Sequence, residues 1–107
     1  MVNLTRTLAN DWGRHNVTVN ALAPGDIETA ALREKEYTPL GMTAEHEVLH
    51  RQAIPAHRAG TPEEVAEICA FLCSPAARFI NGAAIIADGG QSLHNWVEMP
   101  GWDMERP

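Results

Sequence analysis

Residues 46–50 read HEVLH. On a helix, His46 and His50 stand one turn apart on the same face, and Glu47 directly follows the first of them. Two imidazoles at that spacing can hold a zinc ion while the carboxylate takes a proton from metal-bound water, the chemistry of a small metallopeptidase. Such a site also needs a third protein ligand and an open coordination position. The longer H-E-x-x-H-x-x-G-x-x-H spacing fails, because Ala53 and Ala56 stand where its glycine and third histidine would be. His57 has no spacing rule behind it. Of the downstream acids Glu63, Glu64 and Glu67, Glu64 is better used in capping a helix. A five-residue pattern with two unrestricted positions, in a chain with five histidines, is a weak signal. It reads far better as a partly exposed helical lid carrying charged and polar side chains.

The elements around this pattern set what it can do. At 107 residues the chain is one domain or a piece of one, and a free chain of that size buries roughly two-thirds of its unfolded surface. An apolar fraction of 45% with 21% charged residues excludes a disordered chain. A net charge of −6, with eight scattered Lys and Arg, argues against a nucleic-acid partner. No apolar run reaches the length of a membrane span, and MVNLTRTLAN carries no signal-peptide core. Cys69 and Cys73 are four apart, helix spacing rather than C-x-x-C, so they read as reduced thiols of a cytoplasmic protein.

The periodicity predicts a helix over 2–14, with Leu4, Leu8 and Trp12 forming an apolar stripe beside Ala9, and Asn3, Arg6, Asn10 and Asp11 outward. Gly13 and the polar run after it stop the helix. No capping residue precedes Met1. VTVNALA, 17–23, alternates as a strand and is stopped by Pro24-Gly25. Residues 26–60 are the least regular, with a short helix over 43–52 led by Thr43. TPEE then gives a capping box, with Thr61 at the cap, Pro62 in the first turn and Glu64 reaching back. Val65, Ile68, Cys69 and Leu72 follow on one face, and Ser74-Pro75 ends the helix. Asn81-Gly82 turns into AAIIA, 83–87, a short apolar strand of the kind buried on both faces, which Asp88-Gly89-Gly90 closes. The tail, with Trp96 and Trp102, reads as irregular. Strand, crossover helix and strand make one parallel βαβ unit, short of a finished α/β domain.

NLTRTLANDWGRHNVTVNALAPGDIET and GTPEEVAEICAFLCSPAARFINGAAIIADGG resemble, in order and spacing, the carboxyl-terminal half of short-chain dehydrogenase/reductases. The resemblance covers Met1 to about Gln91. It implies an α/β fold, the carboxyl-terminal portion of a Rossmann-like doubly wound parallel sheet, incomplete as an isolated chain. Residues 1–91 would belong to that domain, with a variable substrate-covering segment at 30–56, and 92–107 would be a tail. The first helix is similar to the one following the family's active-site Tyr-x-x-x-Lys.

By the same resemblance, Pro24 and Gly25 shape a loop that holds the nicotinamide of NAD or NADP, the Ile27 backbone meets the carboxamide, and the Thr29 hydroxyl adds a hydrogen bond. Ligands of such sheets sit beyond the carboxyl ends of the strands, and a glycine allows backbone to approach a flat ring. The resemblance further implies a small alcohol or ketone substrate and a homo-oligomeric parent enzyme.

The departures are specific. No G-x-x-x-G-x-G or G-x-G-x-x-G phosphate loop can be built from the glycines. The one tyrosine, Tyr37, and the one lysine, Lys35, do not form Tyr-x-x-x-Lys. No catalytic residue of the family is therefore assigned to this chain, and the expectation is a fragment inactive by itself. The other readings are a non-catalytic module that pairs with a full-length relative, and the zinc peptidase.

Overall fold

The computed structural model describes residues 1–30 and 44–93, the side chains of 44–47 excepted. The chain divides into two compact units, Met1–Pro24 with Pro62–Ala87 and Gly25–Thr61 with Asp88–Pro107.

The first unit opens with helix α1, Val2–Trp12. It stops two residues short of the expected 14. Gly13–His15 tighten into a 3-10 turn, and Asn16 caps that turn in the left-handed region at φ 61°, its N–H donating to the Gly13 carbonyl. Asparagine tolerates that conformation better than most residues. The expected core stripe is not the buried one. Thr5 and Ala9 are buried, while Leu4 is 62% and Trp12 47% exposed. The reason is how closely the helix approaches the turn at 80–82. Asn81 Nδ2 donates to the Ala9 carbonyl at 3.0 Å. A Cβ added to Gly13 would lie 3.2 Å from that same Nδ2, and one on Gly82 would lie 3.4 Å from the Ala9 Cβ. Only small residues permit that approach at Ala9 and Gly13; Thr5, one turn earlier, is buried as well, while Leu4 and Trp12 are exposed.

Strands β1, Ala21–Pro24, and β2, Ala84–Ala87, pair in parallel from Ala21↔Ala84 to Pro24↔Ala87. β1 begins four residues later than the alternation predicts. Ahead of it, side-chain amides take over the backbone groups that a strand ladder would use. Asn81 Oδ1 accepts from Val19 N–H at 2.8 Å, and Asn20 Oδ1 accepts from Ala83 N–H at 3.1 Å. Asn20 Nδ2 donates to the Ile80 carbonyl at 2.9 Å. Locally placed amides compete with ladder bonds in this way.

The crossover helix of this unit, Pro62–Leu72, begins with proline where the missing N–H costs nothing. Ser74 then ends it two residues before the predicted limit. Its hydroxyl donates to the Phe71 carbonyl at 2.7 Å and accepts from Ala76 N–H at 3.3 Å, opening a 3-10 turn at Pro75–Ala77. Val65, Ile68 and Leu72 are half-buried, whereas Cys69 and Cys73 are exposed free thiols. Both line an open groove of about 480 Å³ together with Asn20 and Arg78. β2 is not buried on both faces: Ala84 is exposed and Ile86 is 62% exposed. Among the described residues its one partner strand is β1, and nothing covers its outer face.

The second unit holds helix α2, Ala44–Ala53, one residue later than expected at each end; the proposed cap Thr43 lies outside the described residues. α2 runs into the most fully buried side chain, Ile54, 1% exposed. The crossover helix Pro62–Leu72 is hereafter α3. The remaining residues of this unit, 25–29, 54–61 and 88–93, form tight turns rather than regular elements, and they carry the candidate site.

Candidate functional site

Pro24 is the last residue of β1 and belongs to the first unit, whereas Gly25, Ile27 and Thr29 belong to the second. Gly25 is held against the Asp88 turn. A Cβ on it would lie 2.5 Å from the Asp88 Cβ, 2.7 Å from Gln91 Oε1 and 2.8 Å from the Asp88 Cα. Real Cβ contacts are never so short, so this glycine makes room for Asp88 and Gln91.

The turn that presses on Gly25 is built by Asp88. Its Oδ1 accepts from Gly90 N–H at 2.9 Å and its Oδ2 from Ser92 N–H at 2.8 Å. Bonding from Ser92, then from Gly90, favours the charged carboxylate and lowers the Asp88 pKa from its ordinary 3.8. Gly89 and Gly90 take φ of 62° and 89°, which side chains other than glycine resist. Added Cβ atoms would also meet Ala56 Cβ at 2.9 Å and Pro55 Cγ at 3.0 Å. The Asp88-Gly89-Gly90 turn expected from the sequence is present, and its glycines let 54–56 pack against it; Ala56 N–H donates to the Gly89 carbonyl at 3.0 Å.

Residues 26–28 form an extended strip beside Gly60. Gly60 N–H donates to the Asp26 carbonyl at 2.8 Å and the Gly60 carbonyl accepts from Glu28 N–H at 2.8 Å, a single parallel bridge centred on Ile27. Asp26 N–H donates to Gln91 Oε1 at 3.0 Å, and Thr29 N–H donates to the Ile27 carbonyl at 2.9 Å. Of the four amides at 26–29, that of Ile27 has no partner among the described residues. The bridge explains why: in a parallel pairing Ile27 turns both its N–H and its carbonyl away from Gly60. A half-buried, unpaired N–H is a costly thing to leave in a fold unless a ligand or water meets it.

On the acidic side of the strip, His50 Nε2 lies 3.2 Å from Asp26 Oδ2, and Arg51 lies 3.8 Å from Glu28. Asp26, Gln91 and these pairs were not singled out by sequence reasoning, which read Asp88 only as the start of a turn. Asp88 followed four residues on by Ser92 is a local turn signal that could have been read. The pairing of positions 26 and 50 has no local signal. As for the HEVLH pattern, α2 includes it, but the side chains of His46 and Glu47 lie outside the described residues, as do Lys35, Tyr37, Trp96 and Trp102. Its second histidine is engaged by Asp26. Among the described residues no three His, Cys, Asp or Glu side chains cluster as a metal site, and no helix is long and apolar enough to cross a membrane.

A family model described as enoyl-(acyl carrier protein) reductase matches residues 1–92. The Bacillus subtilis protein named probable 2,4-dienoyl-CoA reductase is 42% identical over 95 residues, 88% of this chain and 36% of that protein. The crystal structure of a short chain dehydrogenase from Bacillus anthracis is 41% identical, with a TM-score of 0.66 over 89% of this chain and 33% of its own. An Agrobacterium tumefaciens protein solved with bound NADP is 36% identical, with a TM-score of 0.73 over 87% of this chain and 36% of its own. The chain spans about a third of the length of the relatives it matches.

Proposed function

The chain belongs to the short-chain dehydrogenase/reductase family, and from that premise we propose that its residues 24–29 form the nicotinamide-facing loop of an oxidoreductase acting on an alcohol or ketone. Members of the family are Rossmann-fold oxidoreductases that work with NAD(P). The parallel pair β1–β2 with its helical crossover is a part of that fold. When bound, the cofactor supplies the hydride acceptor or donor. This chain's own contribution is to hold and orient the ring. Pro24 and Gly25 turn the chain off β1, the Ile27 N–H meets the carboxamide oxygen, and the Thr29 hydroxyl adds a second contact. The observation that supports this most directly is the unpaired Ile27 amide, set among three neighbours that each donate within the chain.

The 107-residue chain alone neither grips a dinucleotide nor turns over substrate. Proton transfer to the reacting oxygen needs a positioned group of lowered pKa, and the pyrophosphate needs backbone amides at a helix amino terminus. The sequence holds neither Tyr-x-x-x-Lys nor a glycine-rich phosphate loop. Residues 1–91 act as the family domain, with 30–56 over the substrate and 92–107 as a tail, in a cytoplasmic enzyme that assembles with copies of itself. The exposure of the apolar side chains Leu4, Phe79 and Ile86 leaves surface that such a partner could cover.

The test is titration of the ¹⁵N-labelled chain with nicotinamide mononucleotide. The Ile27 amide should shift first, with a Kd of about 1 mM or weaker, equivalent to about −4 kcal/mol. Silence at residues 25–29 overturns the assignment of the loop. Micromolar binding of NADH by fluorescence, or turnover of a ketone, overturns the inactivity of the isolated chain.

A further inference from the structure

We infer that Asp26, Glu28, His50 and Arg51 are positioning residues: two side-chain pairs, Asp26 with His50 and Glu28 with Arg51, clamp the strip 26–28 to the last turn of α2, and the clamp keeps the Ile27 amide turned outward. The inference rests on the proposed role of that amide toward the nicotinamide.

The argument is geometric. Side chains alternate across an extended strip, so Asp26 and Glu28 share one side while Ile27 takes the other. On the shared side they meet adjacent helix residues, His50 at 3.2 Å and Arg51 at 3.8 Å. One pair would let the strip pivot about its own axis; two pairs at alternate strip positions oppose that rotation. Asp26 is held at every polar group it has. Its N–H goes to Gln91 Oε1, its carbonyl takes the Gly60 N–H, and its carboxylate faces His50. Rotation of the 26–27 peptide would break the bond from Gly60 and let the Ile27 N–H seek a partner inside the fold. Partly exposed ion pairs contribute little to global stability, so what these two supply is orientation.

Hydrogen exchange on the labelled chain, without any nucleotide, tests this. In Asp26→Ala or His50→Ala, the Glu28 and Gly60 amides should exchange about two- to five-fold faster, and in a variant lacking both pairs about ten-fold faster. The Ala21 and Gly82 amides, which bond within the other unit, should be unmoved. The Ile27 amide resonance should move in each variant. The exchanged pair Asp26→His with His50→Asp should restore both readouts. Unchanged exchange at Glu28 and Gly60 overturns the inference. Equal loss of protection at Ala21 and Gly82 also counts against it, because the residues would then be general scaffolding. So does failure of the exchanged pair to restore the Ile27 resonance. No outcome depends on cofactor binding, so failure of the mononucleotide titration is a separate result.

Discussion

The two units of this chain are held together by different means. In the first, Met1–Pro24 with Pro62–Ala87, a parallel strand pair and two helices make regular backbone bonds, and the Asn20 and Asn81 amides stitch the approach to the strands. Its bulky apolar residues are left outward: Leu4, Trp12, Phe79 at 100% and Ile86. In the second, the described residues outside one helix form turns and the short strip beside Gly60. Cohesion there comes from glycines that admit close backbone contact, from one fully buried isoleucine, and from polar side chains bonding to backbone. Regular elements tolerate substitution on their outer faces, because their bonds are made by the backbone itself. A turn-built unit does not, because each contact depends on a particular residue type. The difference teaches what each unit depends on: the regular one on backbone bonds, the irregular one on particular residue types that hold the strip around Ile27.

Substitutions sharpen the contrast. The largest loss should follow Ile54→Ala, about 2–5 kcal/mol by the usual cost of truncating a buried aliphatic side chain, read by urea unfolding of the chain. Gly25→Ala should cost about 1–3 kcal/mol, since its Cβ would press on the Asp88 backbone. Its signature would be rapid exchange of the Asp26 amide; an unchanged Asp26 amide would show that the Asp88 turn yields freely. In the regular unit, Asn81→Ala should cost about 1–2 kcal/mol, for two lost bonds at a partly exposed site. Loss of Val19 amide protection would report it.

On the outward apolar face, Phe79→Ser and Ile86→Thr should each change stability by less than about 0.5 kcal/mol while reducing self-association in size-exclusion chromatography. A large drop in stability there would erase the distinction between backbone bonds and outer faces. The smallest effect is that of acid on the Asp88 turn. Because folding lowers this pKa below 3.8, its stabilisation is complete above that value and is lost as pH falls through the lowered native pKa. Asp88→Asn should flatten that step in an acid titration followed at the Ser92 amide.

Much of the architecture was legible because it rests on local rules. Proline starts α3, Ser74-Pro75 ends it, and Asp88-Gly89-Gly90 makes the turn it advertises. The errors share one cause. Leu4, Leu8 and Trp12 have the spacing of a buried stripe, but burial depends on what the helix meets, and α1 meets a turn so close that only small residues fit at Ala9 and Gly13. Val17–Asn20 has the alternation of a strand, but the distant Asn81 amide takes the Val19 N–H, and the Asn20 amide bonds to the backbone of Ile80 and Ala83 in place of a ladder. The loop 24–29 was singled out through its resemblance to a known family, and the packing of Gly25 against Asp88 and Gln91 depends on residues far along the chain.

The order of elements, the places where they stop and the family they belong to follow from the sequence alone, since caps, breakers and periodicity act over a few residues. The free Ile27 amide, the outward bulky face of α1 and the joining of Asp26 to His50 were decided by tertiary structure. Each depends on groups far apart along the chain, and backbone approach and hydrogen-bond competition, which carry no local spacing, determine which of them meet.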